Sequence, residues 1–225
     1  GNKTDNSDAD IILNGQGTSD NFGNSVASAG DFNGDGKGDV IVGAPFDDNN
    51  GSNSGSAFIF FGGITGTKTA DADADVILNG QSAGDYFGHV VASAGDFNGD
   101  GKGDVIVSAI EDDNNSETDS GSVFIFFGGI TGTKNADADA DVTLNGENAD
   151  DRFGGFLRCC GAYSSNAIAS AGDFNGDGKD DVIVGASKDD NNSASDSGSA
   201  FIFFGGITGT KRADADANVI LNGEG

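Results

Sequence analysis

The apolar positions of this chain fall in short bursts separated by Gly, Asn, Asp and Ser, and the same order of bursts comes round three times. In the first round they are Ser25 to Ala29, Val40 to Ala44, Ala57 to Phe61 and Val76 to Leu78. Each is short, β-branched or aromatic, and closed by turn-forming residues, which reads as strands. Val105-Ile106-Val107 and Val182-Ile183-Val184 restate the run Val40-Ile41-Val42. Four strands per unit of this length describe one blade of a β-propeller. The expected fold class is therefore all-β: blades of four antiparallel strands, arranged as a partial propeller or a repeat array.

The expected division is a lead-in loop and spare outer strand over 1–23, then blades over 24–80, 81–146 and 147–225. The spare strand, Ile11-Ile12-Leu13-Asn14-Gly15, matches Val219-Ile220-Leu221-Asn222-Gly223 at the close of the third unit. Since that closing copy already completes the third blade, the opening copy has no blade of its own. An unpaired outer strand needs a partner. Either the residues are a window from a longer repetitive chain, or the strand completes a blade in a neighbouring molecule and builds a head-to-tail array.

The first two bursts of every unit are joined by one phrase, Asp31-Phe32-Asn33-Gly34-Asp35-Gly36-Lys37-Gly38-Asp39. It returns at Asp96 to Asp104 and at Asp173 to Asp181, where Asp180 replaces the second-last glycine. Carboxylate or amide oxygens stand at positions 1, 3, 5 and 9, and a glycine at position 6 permits a sharp turn. Hard cations such as Ca²⁺ take six to eight oxygen ligands, some of them backbone carbonyls, at this spacing. The expected ligands are Asp31, Asn33, Asp35, Asp39 and the Lys37 carbonyl. Their counterparts are Asp96, Asn98, Asp100, Lys102 and Asp104, then Asp173, Asn175, Asp177, Lys179 and Asp181. A helix-loop-helix calcium hand has a bidentate Glu at position 12, whereas this chain has Val42, Val107 and Val184. The loop therefore bridges two strands. Asp/Asn/Gly hairpins also occur without metal, but an ordinary turn has no use for four oxygen-bearing side chains at fixed odd positions.

Phe22-Gly23, the acidic loop and Gly43-Ala44-Pro45 together resemble the FG-GAP repeat, the module of integrin α-subunit propellers and many bacterial surface proteins. Phe87-Gly88 and Phe153-Gly154 keep the first half of that signature; Ser108-Ala109-Ile110 and Gly185-Ala186-Ser187 degrade the second. The resemblance implies a propeller with calcium in the hairpin between strands one and two, used for adhesion or scaffolding.

The formal net charge of −26 disfavours nucleic acid and anionic membranes as partners. Three Ca²⁺, one per repeat, still leave the surface strongly acidic, so stability should depend on the cation. Such sites can be as weak as ~10⁻⁴ to 10⁻³ M in extracellular modules, which points to an extracellular or cell-surface location. No initiator Met, signal sequence or membrane-length apolar run is present. Asp-Ala alternation after the third strand (Asp71, Asp73, Asp75 and counterparts) reads as a solvated edge.

Cys159 and Cys160 are adjacent, an arrangement that strains a disulfide. They lie in an insertion at 155–165, a contact loop or a tolerated surface loop. Asn2, Asn50, Asn114 and Asn191 begin Asn-x-Ser/Thr triplets and are possible glycosylation acceptors. His89 is the only histidine and nearly all carboxylates belong to the loops or the acidic tracts, so no enzyme is expected. Two functions stay open: a calcium-stiffened structural or adhesive segment that associates with itself or with neighbouring repeats, and an adhesion propeller that binds a protein or glycan through its blade-face loops.

Overall fold

The computed structural model describes residues 9–114, 116–155, 167–190 and 197–223. Cys159, Cys160, Asn2, Asn191 and nearly all of the 155–165 insertion lie outside the described residues. The lead-in carries β1 (Ile11–Asn14). The first repeat follows with β2 (Ser25–Gly30), β3 (Asp39–Ala44), β4 (Ser56–Phe60), β5 (Gly66–Thr69) and β6 (Val76–Asn79). The second contributes β7 (Phe87–Gly95), β8 (Asp104–Ala109), β9 (Ser122–Phe126), β10 (Gly132–Asn135) and β11 (Val142–Asn145). The third contributes β12 (Ile168–Gly172), β13 (Asp181–Ala186), β14 (Ser199–Phe203), β15 (Gly209–Arg212) and β16 (Val219–Asn222).

Strands β2, β3, β4 and β6 form an antiparallel meander, as do β7, β8, β9 and β11 and then β12, β13, β14 and β16. These are the four-stranded blades read from the apolar bursts. Each β2–β3 type hairpin is kinked at a Ser-x-Gly step, where the register shifts between Ser28 and Gly30. Gly30 takes φ +68°, a left-handed conformation costly for a residue with Cβ. Its N–H donates to Ser28 Oγ at 3.1 Å, a bond repeated by Gly95 to Ser93 and Gly172 to Ser170. The bulge aims the chain into the acidic loop.

Between the third and fourth strands the structure departs from the sequence reading. The expected loop holds a strand, and the Asp-Ala tract expected as a solvated edge forms a one-turn helix: Ala70–Asp73, Ala136–Asp139 and Ala213–Asp216. Alanine is the strongest helix former, and in the first repeat one turn puts Ala70 and Ala74 on the same side, against the core. The aspartates then tie down backbone. Asp73 Oδ2 accepts from Thr69 N and Asp75 Oδ2 from Phe61 N, both at 2.8 Å.

The extra strand does not join its own blade. β10 pairs in parallel with β6 of the preceding repeat, Gly132 opposite Val76 and Asn135 opposite Asn79. β15 does the same with β11. β1 is held in this way too, lying parallel to β5 with Ile11 opposite Gly66 and Asn14 opposite Thr69.

The second blade is apolar on both faces because it packs between the other two. Ile41, Ala57, Ile59, Val76 and Leu78 of the first meander meet Phe87, Val107, Phe124 and Phe126 of the second. Ile106, Val123, Ile125 and Leu144 of the second meet Phe153, Val184, Phe201 and Phe203 of the third. Phe87 and Phe153, the aromatic heads of their repeats, sit edge-on to the Phe pairs of their own blades at ring distances of 5.6 and 6.4 Å. The far face of the third meander is open. Phe32, Phe97 and their counterpart Phe174 are 0, 0 and 59% exposed; Leu78, Leu144 and Leu221 are 0, 0 and 53%. His89 is buried within β7. Among the described residues no helix is long and apolar enough to cross a membrane.

Candidate metal centres

The three acidic loops share one hydrogen-bonded frame. Position 9 anchors it. Asp39, Asp104 and Asp181 are almost completely buried at the first residue of β3, β8 and β13. Asp39 Oδ2 accepts from Phe32 N at 2.9 Å and Asn33 N at 3.2 Å, while Oδ1 accepts from Gly62 N at 2.7 Å. Asp181 repeats all three bonds, with Phe174, Asn175 and Gly205 as donors. Asp104 takes Asn98 N and Gly128 N. These carboxylates close the loop onto the turn after the third strand.

Positions 1, 3 and 5 accept amides of the loop itself. Asn33 Oδ1 accepts from Asp35 N at 2.7 Å, Asp31 Oδ2 from Gly36 N at 2.9 Å, and Asp35 Oδ1 from Lys37 N at 2.9 Å. Gly36 stands at φ +87°, the left-handed turn required at position 6. Asp96, Asn98 and Asp100 repeat this pattern around Gly101, and Asp173, Asn175 and Asp177 around Gly178. Each loop thus curls its backbone amides around its own side-chain oxygens. Asp31 Oδ1 is buried and has no hydrogen-bond partner, an acceptor oxygen that fits a cation ligand. Lys37 Nζ lies 3.0 Å from Asp35 Oδ2 and holds that carboxyl below the usual range. Burial pushes the Asp104 carboxyl up to about 6, against the bonds from Gly128 and Asn98. Among the described residues no group of three or more His, Cys, Asp or Glu is set to hold an ion, so a cation here needs amide and carbonyl oxygens as well as carboxylates.

The loops are stitched across repeats. Gly103 N donates to the Asp31 carbonyl at 3.0 Å, and Asp180 N to the Asp96 carbonyl at 3.1 Å. Gly129 N and Gly206 N donate to the Phe32 and Phe97 carbonyls at 2.6 and 2.7 Å. Asp180, which replaces a glycine, also accepts Asp96 N at 2.7 Å through Oδ2.

At the opposite end of each blade, where strands two and three are joined, stands a polar cluster. Asp47, Asp112 and Asp189 are buried there, as are Asn79, Asn145, Ser56 and Ser122. The only signal in the sequence is the recurrence of an Asp three residues after each second strand. Asp85 and Asp151, in the connection between repeats, are also buried. Burial raises Asp85 and Asp151 to about 6 and Asp112 to about 7, and neighbouring aspartates add to the effect. Of the glycosylation acceptors in this region, Asn50 Nδ2 donates to Gly80 O at 2.9 Å and Asn135 Oδ1 at 2.8 Å. Asn114 Nδ2 donates to Asp137 Oδ1 at 2.8 Å. A glycan at either site would have to replace these bonds.

These buried carboxyls set a pH dependence. In the unfolded chain they release their protons near the ordinary carboxyl value of 3.8, whereas in the folded chain they hold them to about 6 or 7. Raising the pH through that window therefore favours the unfolded state. In chelator, the urea midpoint should fall from pH 5 to pH 8 and level off above; over that range Asp112 alone contributes at most about 3 kcal/mol. Asp112→Asn should flatten the profile. A midpoint that rises over the same range would refute the assignment.

The FG-GAP repeat model matches residues 22–60, 87–126 and 165–203. Phosphatidylinositol-glycan-specific phospholipase D of Bos taurus is 30% identical over 164 residues, which is 71% of this chain and 18% of that protein. Integrin alpha-6 of Gallus gallus is 31% identical over 179 residues, 79% of this chain and 14% of that protein. Integrin alpha-PS3 of Drosophila melanogaster is 33% identical over 135 residues, 60% of this chain and 10% of that protein. The chain spans less than a fifth of the length of these relatives.

Proposed function

Because the chain belongs to the FG-GAP repeat family, we propose that it works as an extracellular or cell-surface adhesive or structural segment, stiffened by one Ca²⁺ in each acidic loop. The ligands are the position 1, 3 and 5 side chains, the position 7 carbonyl and the position 9 carboxylate of each loop. The observation that carries the structural part of this reading is the open face of the third meander. Phe174 and Leu221 occupy the positions that the following repeat covers in the first two blades. The partner we assign to that face is another FG-GAP repeat, further along a longer chain or in a neighbouring molecule. Integrin relatives support adhesive work. The phospholipase D relatives match only over these repeats, and we assign the segment no catalytic step.

A second reading, recognition of a protein or glycan through the blade-face loops, is favoured by one feature. A cavity of about 760 Å³ opens at the third repeat among Glu147, Asp150, Asp151, Lys188, Asp190 and Asp214. Its mixed charge suits a ligand with hydroxyls or a basic group.

Electron microscopy of the purified chain, with calcium and after chelation, separates these readings. Regular strings or ring assemblies that loosen on chelation support the structural role. Discrete monomers with calcium leave the loop-face cavity as the working surface. Particles and melting curves indifferent to chelation would sink the calcium assignment.

A further inference from the structure

At the end of the second blade opposite its acidic loop, Asp112 is only 5% exposed. One of its oxygens, Oδ2, is buried without a hydrogen-bond partner. The other is served by the Ser122 hydroxyl, and that same hydroxyl lies 3.0 Å from Asn145 Oδ1. A hydroxyl carries one hydrogen, so two acceptor oxygens compete for it. The charged groups that act on Asp112 are Asp85, Asp137 and Asp113, all acidic. A buried carboxylate in such company has to be neutralised by a proton or a cation. Asn145, which shares the Ser122 hydroxyl with Asp112, lines a cavity of about 200 Å³ together with Asn114, Asp137, Thr143 and Thr210, room for an ion with several waters at about 30 Å³ each.

We propose that this end of the second repeat is a further cation site, separate from the acidic loops, in which Asp112 and Asp137 with the amide oxygens of Asn114 and Asn145 bind a hard divalent cation such as Ca²⁺. The donor set is oxygen only, with no His or Cys, which selects a hard ion over zinc or copper. A proton on Asp112 satisfies that one group. A divalent ion offsets Asp85, Asp113 and Asp137 as well, and gives the orphaned Oδ2 a partner. Binding would require Asn114 to turn its amide so that the oxygen faces the ion and Asp137 is released to it. This site does not depend on the loops being calcium sites, since it shares no residue with them.

Equilibrium dialysis of the full chain against Ca²⁺ at pH 7.5 tests the proposal, with Asp112→Asn, Asp137→Asn and the loop variant Asp100→Asn measured beside the parent. The expected result is that Asp112→Asn lowers the bound calcium by one ion per chain, that Asp137→Asn weakens one site about tenfold, and that a double variant with Asp100→Asn loses two ions. Should Asp112→Asn fail to fold, the half-buried Asp137→Asn decides by itself. Equal stoichiometry and affinity in the parent and Asp137→Asn would overturn the site. A null effect of Asp100→Asn alone would count against the loop instead and leave this site standing.

Discussion

Chelating calcium from the folded chain should lower its stability by about 8 kcal/mol when the starting buffer holds a hundredfold excess of Ca²⁺ over the dissociation constant. Each filled loop then adds about 2.7 kcal/mol by mass action, and three loops share the same frame. The effect should reach beyond the loops themselves. The Asp31 carbonyl receives Gly103 N and the Asp96 carbonyl receives Asp180 N, so a loop that relaxes without its ion also loosens the junction to the next repeat. Urea denaturation in calcium and in excess chelator gives the number directly. A midpoint that does not move, or one restored equally by sodium, would show that the loops close without a divalent ion.

Phe87→Ala comes next in size, with an expected loss of about 3–5 kcal/mol. Its ring is fully buried between the first two blades and meets Phe124 and Phe126 edge-on at 5.6 and 6.4 Å. The cavity left behind has walls from two sheets, whose hydrogen-bonded ladders cannot collapse into it. Two internal comparisons sharpen the test. Phe22 holds the same place in the first repeat but is half-buried, so Phe22→Ala should cost clearly less. Val26 is 67% exposed, and Val26→Ala should fall within about 0.5 kcal/mol of the parent. Denaturant midpoints in saturating calcium rank the three. A Phe87→Ala cost no larger than that of Phe22→Ala would mean that the blades are not packed against each other in solution.

How far the sequence could be read depends on where each residue's partner lies. The meander strands of the first repeat were legible to within a residue at each end, because Val40-Ile41-Val42 and its neighbours carry β-branching in their own side chains and pair with strands nearby in the chain. The acidic loop was legible for the same reason: Asp31 to Asp39 meet mainly one another. β5, β10 and β15 were not. Gly-Thr-Lys shows no apolar alternation, and its partner strand lies in the repeat before. The helical turn at Ala70 escaped because Asp-Ala alternation fits a strand edge as well as it fits one turn with alanine inward. Asp112 was hidden differently. Nothing in Glu111-Asp112-Asp113-Asn114 says which aspartate is covered; the turn of the loop back onto Ser120, Gly121 and Ser122 of its own blade decides that.

The backward reach of β10 and β15 has a mechanical consequence. Since each strand belongs to the sheet of the repeat before it, the cleavage plane between sheets coincides with no peptide bond at which the chain could be divided into whole blades. The repeats overlap like shingles. Tension applied to the two ends is carried by the connecting segment and also by a parallel ladder of four residue pairs, which loaded lengthwise must give way together. A blade at either end therefore cannot be peeled off by itself: removing it takes a strand from its neighbour or leaves one behind.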